Sequence, residues 1–331
     1  MALDFDPDGP ASGGLFGLPH SPSDARVVVL PVPVEVTTSS AGGTALAPPV
    51  VLEASWQVDL CDLQTGEPWR DGIAMDRAPR WMNDANAPTR AMANTARDGD
   101  AQALAAINAF GARVNDAVHA WTGGQLDAGR IPAILGGDHS VPLGAFRAAI
   151  ARNPGIGILH VDAHADLREA YEGFTYSHAS IFFNALQHDA LGPLVQVGIR
   201  DVGTREMQLA ASDARVHLWS DFELTRCTES GESFRALCKR IIAPLPPTVW
   251  VSWDIDGLDP TLCPGTGTPV PGGLMWRQAM TLLEVLGQSG RRIIGFDLCE
   301  VGNGDWDANV GARLLYKLSG WAIASQREAS S

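Results

Sequence analysis

Cysteine is sparse in this chain: five residues, at 61, 227, 238, 263 and 299, with no CxxC pair. Their odd number and wide spacing leave a disulfide framework or a structural zinc site with little support. Positive charge is short as well, with 24 Lys and Arg against 38 Asp and Glu and a formal charge of -14. That balance argues against broad binding to nucleic acid or to an anionic membrane, and it gives cationic small molecules a favourable long-range potential. No run approaches the roughly 20 apolar residues of a membrane span. The opening "MALDFDPDGPASGG" has neither a basic start nor an apolar stretch, so a secretory leader is not expected and a reducing cytoplasm is the default location.

What the chain does contain suits a packed globular protein: 45% hydrophobic residues, with 35 Gly and 22 Pro for turns. Residues 1–25, rich in Gly, Pro, Ser and Asp, are expected to form an extended or loosely packed arm. No internal repeat and no low-complexity boundary divides the rest, so residues 26–331 are expected to form one domain. Apolar runs at "RVVVLPVPV", "IPAILGG", "GIGILHV", "LVQVGIR", "RVHLW", "TVWVSWDID" and "RIIGFDLCE" read as strands. Helical patterns lie near 50–58, 89–120, 141–152, 229–242, 275–288 and 306–324, with Gly99 and Gly111 as candidate interruptions of the second. Residues 61–86 read as irregular, with room for short strands and turns. Alternation of short apolar runs with helices predicts an α/β protein with a mostly parallel sheet covered on both faces.

The polar residues gather where these strands end, which is the usual place for a site in such sheets. Three stretches carry the chemistry: "GGDHS" at 136–140, "DAHAD" at 162–166 and "SWDIDGLDP" at 252–260. Two-residue spacing along extended chain directs Asp162, His164 and Asp166 to one side, and relates Asp254 to Asp256 in the same way. With His139 these make four carboxylates and two imidazoles, an oxygen and nitrogen set suited to Mn, Ni, Fe or Co. Its negative charge calls for more than one cation. Two further residues are suited to catalysis rather than ligation. His178, in "TYSHAS", is placed to exchange protons with a leaving nitrogen, and Glu300, ending "IIGFDLCE", to pair with a planar N–H cation.

These motifs, together with "GTGTPVPGG", occur in the order and at the spacings of the arginase and agmatinase (ureohydrolase) family, which the chain resembles over roughly residues 25–325. The resemblance implies a single three-layer α/β/α sandwich, assembled as a homo-oligomer, a trimer or hexamer. It implies that His139, Asp162, Asp166 and Asp254 surround one metal, and Asp162, His164, Asp254 and Asp256 a second. It further implies hydrolysis of a guanidinium C–N bond, with Asp166 orienting the nucleophile, His178 transferring a proton and Glu300 holding the substrate.

The segment "LREAYEGFTYSHAS" lacks the small amide and hydroxyl groups that arginase uses for an α-carboxylate, and is closer to agmatinase-like relatives. Trp253, Cys263 and the continuation "DLCEVGNGDWDANVGARLLYKL" resemble guanidine hydrolases. Guanidine, giving urea and ammonia, is therefore the preferred substrate. The alternatives are agmatine, guanidino acids, and substituted guanidines or biguanides such as metformin. By the same resemblance nickel is favoured over manganese, and metal-loading accessory proteins are possible partners. Phe174, Tyr176, Trp306 and residues 37–46 are candidate walls of a short, enclosed pocket.

Overall fold

Eight parallel strands, each entered through a turn and left toward a loop or helix, place every strand's carboxyl end along one edge of a single sheet. A computed structural model describes residues 5–9, 13–39 and 42–327. The strands are β1 (Val27–Val32), β2 (Ile73–Met75), β3 (Ile131–Gly136), β4 (Gly157–Val161), β5 (Leu194–Ile199), β6 (Val216–Ser220), β7 (Thr248–Asp254) and β8 (Arg292–Cys299). Their order is β2-β1-β3-β8-β7-β4-β5-β6, and every pairing is parallel.

Strands buried on both faces need apolar side chains at odd and even positions alike. In β1 to β5, and in β7 and β8 beyond their first residues, this is what the chain supplies. Alternate residues of a strand feed opposite cores. Leu159 and Val161, Val249, Val251 and Trp253, and Phe296 and Leu298 face one core, while Ile158, Trp250 and Ile294 face the other. Helices Ala47–Ser55, Phe234–Ile241, Trp276–Gly287 and Asp305–Arg327 cover the first face, and helices Arg80–Ala91, Ala101–Asp127, Leu143–Arg152 and Ile181–Leu186 the second. The result is the expected three-layer α/β/α sandwich, with a sheet that is wholly rather than mostly parallel.

Several local expectations need correction. Gly99, at φ +100°, separates two helices as expected, but Ala101–Asp127 runs unbroken through Gly111. Of the helix expected over 229–242 the chain forms Phe234–Ile241, and an unexpected helix, Asp221–Glu229, precedes it across a turn in which Gly231 has φ +96°. Residues 61–86 hold a short strand, β2 at the sheet edge, as allowed for, but also the start of helix Arg80–Ala91, which was not expected. Within residues 1–25, positions 1–4 and 10–12 lie outside the described residues. Leu15, Phe16 and Leu18 pack into the core, where Phe16 meets Tyr316 edge-on at 4.8 Å between ring centres. That stretch is therefore part of the packed body, anchored by apolar residues that an otherwise polar, Gly-rich segment conceals.

Helix Leu143–Arg152 lies so close to Ala101–Asp127 that a Cβ built on Gly144 would stand 2.1 Å from the Asn115 carbonyl oxygen. No flexible side chain is available to yield there. Gly144→Ala is expected to lower stability by about 1–3 kcal/mol through backbone displacement, read as a shift in the denaturant midpoint. An unchanged midpoint would contradict the close helix contact.

Candidate active site

The middle four strands of the sheet, β3, β8, β7 and β4, are neighbours in space although they come from opposite halves of the chain. Their carboxyl ends deliver His139, Glu300, Asp254 and the run from Asp162 to Asp166. Gly137 lets the end of β3 pass flush against the end of β1, since an added Cβ would sit 1.9 Å from the Val34 carbonyl oxygen. The Glu300 N–H then donates to the Gly137 carbonyl at 2.8 Å, which locks the last residue of this group to the first.

The six residues expected to ligate metal converge. His139 Nδ1 lies 3.1 Å from Asp162 Oδ2, 3.1 Å from Asp166 Oδ2 and 3.4 Å from Asp254 Oδ2. His164 Nδ1 lies 3.4 Å from Asp162 Oδ1 and 3.2 Å from Asp256 Oδ2. Asp162 thus touches both imidazoles. Backbone N–H groups fix the carboxylates: His164 N donates to Asp162 Oδ1 at 2.6 Å, Ala163 N to Asp256 Oδ1 at 3.1 Å, and Asp256 N to Asp254 Oδ1 at 2.9 Å. The His139 N–H donates to Glu300 Oε1 at 3.1 Å. Glu300 Oε2 is buried without a hydrogen-bond partner. Asp166 and Glu300 both hold positive φ, 52° and 59°, a conformation that costs a non-glycine residue about 1–3 kcal/mol and concentrates at functional sites.

Four residues that sequence reading did not single out form a polar row beneath this group. Asp297, Ser252, His160 and Gln196 pair in register across β8, β7, β4 and β5, and all are fully buried. Ser252 Oγ donates to Asp297 Oδ1 at 2.8 Å, leaving its lone pairs to accept from His139 Nε2 at 3.0 Å. That bond places the Nε2 proton away from the carboxylates and turns Nδ1 toward them. Gln196 Nε2 donates to His160 Nδ1 at 3.0 Å, so His160 Nε2–H donates to Asp162 Oδ2 at 2.8 Å. His160 is close enough to the cluster to resemble a ligand, but its free proton makes it a support for Asp162. The advance signal of this row was a polar residue in the interior of each of four largely apolar strands.

Charge at such density is unstable on its own. Burial, then the charges of Asp256 and Asp162, push Asp254 well above the usual carboxylate range. Burial and then Asp162 push Asp166 to about 7. Burial, then Asp138 and Asp256, push Glu300 well up. Asp162 moves the other way: burial opposes it, but His160, His139 and His164 together hold it well below its ordinary value. Carboxylates pushed upward by burial and mutual repulsion, mixed with imidazoles and lacking thiolate, fit a pair of hard or borderline divalent cations. The donor set passes that test.

A cavity of about 150 Å³ adjoins the cluster, lined by Ser39, His164, Asp166, Arg168, Tyr171, His178, Ala179, Asp201, Glu206 and Thr268. Burial, then the positive charges of His164 and His139, push His178 down to about 4. Its N–H donates to Thr37 Oγ1 at 3.1 Å, and Nδ1 lies 3.3 Å from the same oxygen. Arg168 stands 3.3 Å from Glu206 and over the Tyr171 ring at 4.6 Å, so it is held by the protein as a salt bridge beside the site. Phe174, Tyr176 and Trp306 do not line this cavity. Phe174 is fully buried with the Arg97 guanidinium 5.4 Å over its ring, Tyr176 packs on Gly111, and Trp306 Nε1 donates to the Thr261 carbonyl. Tyr171 supplies the aromatic wall instead. Of the stretch 37–46, Ser39 reaches the cavity, while residues 40 and 41 lie outside the described residues. Trp253 and Cys263 are buried core residues.

A wholly parallel α/β sandwich with a buried His/Asp cluster at its central strand ends defines a class of α/β proteins whose strand-end side chains could hold metal. Within that class the chain belongs to the Arginase family, whose profile matches residues 25–319. It is similar to the N(1)-aminopropylagmatine ureohydrolase of Thermus thermophilus, 33% identical over 311 residues that cover 92% of this chain and 94% of that one. The guanidinobutyrase of Pseudomonas aeruginosa is 31% identical over 331 residues, covering 93% and 92%. In fold it resembles the solved proclavaminate amidino hydrolase of Streptomyces clavuligerus, with a TM-score of 0.75 at 24% identity over 96% of this chain and 99% of that one.

Ser252→Ala removes the acceptor that sets the His139 tautomer without touching the cluster itself. It is expected to weaken binding of a divalent cation by about 10–100-fold while leaving the fold intact, measured by calorimetric metal titration. Unchanged affinity would show that the buried row does not orient His139.

Proposed function

We propose that this chain hydrolyses the C–N bond of a guanidinium group to urea and an amine. In this reading His139, Asp162, Asp166 and Asp254 hold one divalent cation, and Asp162, His164, Asp254 and Asp256 hold the second. The observation that carries it is the meeting of all six side chains at one strand-end cluster beside a cavity that also contains His178. When bound, such a pair of cations lowers the pKa of water so that hydroxide is available near neutral pH. Asp166 orients the attacking oxygen by accepting its hydrogen bond. Glu300, with Oε2 unengaged, accepts guanidinium N–H groups in a charge-assisted contact. His178, held on Thr37, passes a proton to the nitrogen that leaves.

Guanidine is the first substrate of this proposal, giving urea and ammonia. The cavity of about 150 Å³ is smaller than the roughly 300 Å³ at the lower end of ordinary ligand clefts. A substituted guanidine with a cationic tail is the second reading, and it fits the named relatives at least as well. It is favoured by Asp201 and Glu206 in the cavity wall and by an adjoining space of about 550 Å³ that shares Arg168, Tyr171 and Glu206. Nickel is the proposed metal and manganese the alternative, loaded with the help of accessory proteins. The proposed assembly is a cytoplasmic homotrimer or homohexamer. Among the described residues no helix is long and apolar enough to cross a membrane.

Urea release from guanidine, agmatine, guanidinobutyrate, guanidinopropionate and metformin, measured at equal nickel or manganese occupancy, is expected to be fastest with guanidine and nickel. Efficient agmatine turnover with negligible guanidine turnover would replace the substrate, and full activity with manganese alone would replace the metal. Asp254→Ala, which removes a carboxylate shared by both proposed metal positions, is expected to lose metal and activity together. Full occupancy of two metals in that variant, by elemental analysis, would contradict the assignment.

A further inference from the structure

The opposite edge of the sheet gathers charge of the other sign. Arg26 immediately precedes β1, Arg130 immediately precedes β3, and Arg292 opens β8, and these three strands are neighbours. Val27 pairs with Ile131, so the first two arginines enter the sheet side by side. Arg152, the last residue of helix Leu143–Arg152, completes the group. All four line one surface groove of about 600 Å³, and among the described residues that line it Asp127 is the single carboxylate.

That carboxylate is already engaged, accepting from Arg152 Nε at 2.7 Å and Nη2 at 2.6 Å. Arg26 is held by the Gly129 carbonyl and by Gln326 Oε1, the latter at 2.5 Å. Arg130 is held by Gln125 Oε1 at 3.2 Å and the Ser23 carbonyl at 2.9 Å. Neutral acceptors fix both guanidinium groups in place but cancel neither charge. Arg292 is exposed, and among the described residues Arg26, Arg130 and Arg292 take part in no ion pair. Three guanidinium groups in one groove without an ion-pair partner among the described residues are notable in a chain where 38 acids outnumber 24 bases, because carboxylates are plentiful elsewhere in the sequence.

We propose that this groove binds a small oligoanion, a molecule bearing two or more phosphate or carboxylate groups. Planar guanidinium forks match both groups in geometry and charge, pre-positioned donors lower the ordering cost of binding, and the volume falls within the usual range for small-molecule clefts. The site lies at the amino ends of the strands, whereas the His/Asp cluster lies at their carboxyl ends. It therefore stands or falls independently of the proposed reaction.

The test is calorimetric titration of the full-length, metal-loaded protein with fructose 1,6-bisphosphate, and separately with succinate, at matched ionic strength. Saturable binding to one site per chain is expected, with Arg292→Ala lowering affinity about tenfold or more, the loss of one charge-assisted contact. The side chain of Arg292 is exposed and lies at the opposite strand end from the His/Asp cluster, so urea release by that variant is expected to stay unchanged. Tighter binding of the bisphosphate identifies phosphate as the preferred group, and tighter binding of succinate identifies carboxylate. Absence of saturable binding by either anion would overturn the proposal. So would equal affinity in Arg292→Ala, which is the pattern that chelation at the His/Asp cluster would produce.

Discussion

Mutual repulsion among buried carboxylates is the constraint around which this molecule is organised. Asp162, Asp166, Asp254 and Asp256 are all nearly inaccessible to water, and unit charges about 4 Å apart repel by about 4 kcal/mol at an effective dielectric of 20. Imidazoles and backbone N–H groups offset part of this, drawing Asp162 well below its ordinary value while burial and neighbouring carboxylates leave Asp254 well above it. A folded chain tolerates such a cluster only if something else supplies positive charge. Protons do so in isolation and divalent cations do so better, because each brings two charges and several coordination sites to the same space. The same excess of negative potential draws in a cationic substrate, so the feature that makes the site costly also makes it selective for charge.

The sheet contributes more than a platform. Its buried polar row links strand register to imidazole tautomer: Asp297 receives the Ser252 hydroxyl proton, Ser252 therefore receives the His139 proton, and the other ring nitrogen is left facing the carboxylates. Trp250 Nε1 donates to the remaining Asp297 oxygen at 2.6 Å, so the base of this chain of bonds is itself fixed by a large core side chain. A slip of one residue in β7 or β8 would turn these groups to the opposite face. Specification of the His/Asp cluster thus begins in the hydrophobic core at Trp250, three hydrogen bonds away from His139.

How much of this was legible in sequence follows from how local each signal is. The strands were visible because doubly covered parallel strands are continuous apolar runs, and "DAHAD" was visible because its ligands alternate along extended chain. His139 and Glu300 are 161 positions apart, yet each closes an apolar run and so marks a strand end. The polar row was not legible, since one serine, glutamine or aspartate inside an apolar strand has meaning only once register brings its partners alongside. Glu206 went unnoticed for a similar reason. It sits in a short helix without strong periodicity, and its role, accepting from Leu167 N, Gly203 N and Arg168, is to pin a distant loop. Choosing Phe174, Tyr176 and Trp306 as pocket walls failed because large aromatics are equally suited to core packing, and nothing local distinguishes the two fates.

Those same facts locate where specificity resides. The cluster is built by four central strands and a buried network, all of which are sensitive to small displacements. The cavity beside it is walled by side chains from separate connections: Ser39 after β1, Arg168 and Tyr171 after β4, Asp201 after β5 and Thr268 after β7. Positive φ at Ala170 and Glu172 shows that the segment bearing Tyr171 is held in a sparsely populated backbone shape by its surroundings rather than by its own preference. A change in any one of these loops alters the space beside the His/Asp cluster without moving its side chains, whereas a change in the strands disturbs the cluster first. The chemistry is therefore set by the core of the sheet, and the choice among guanidino compounds by loops that are free to vary independently of it.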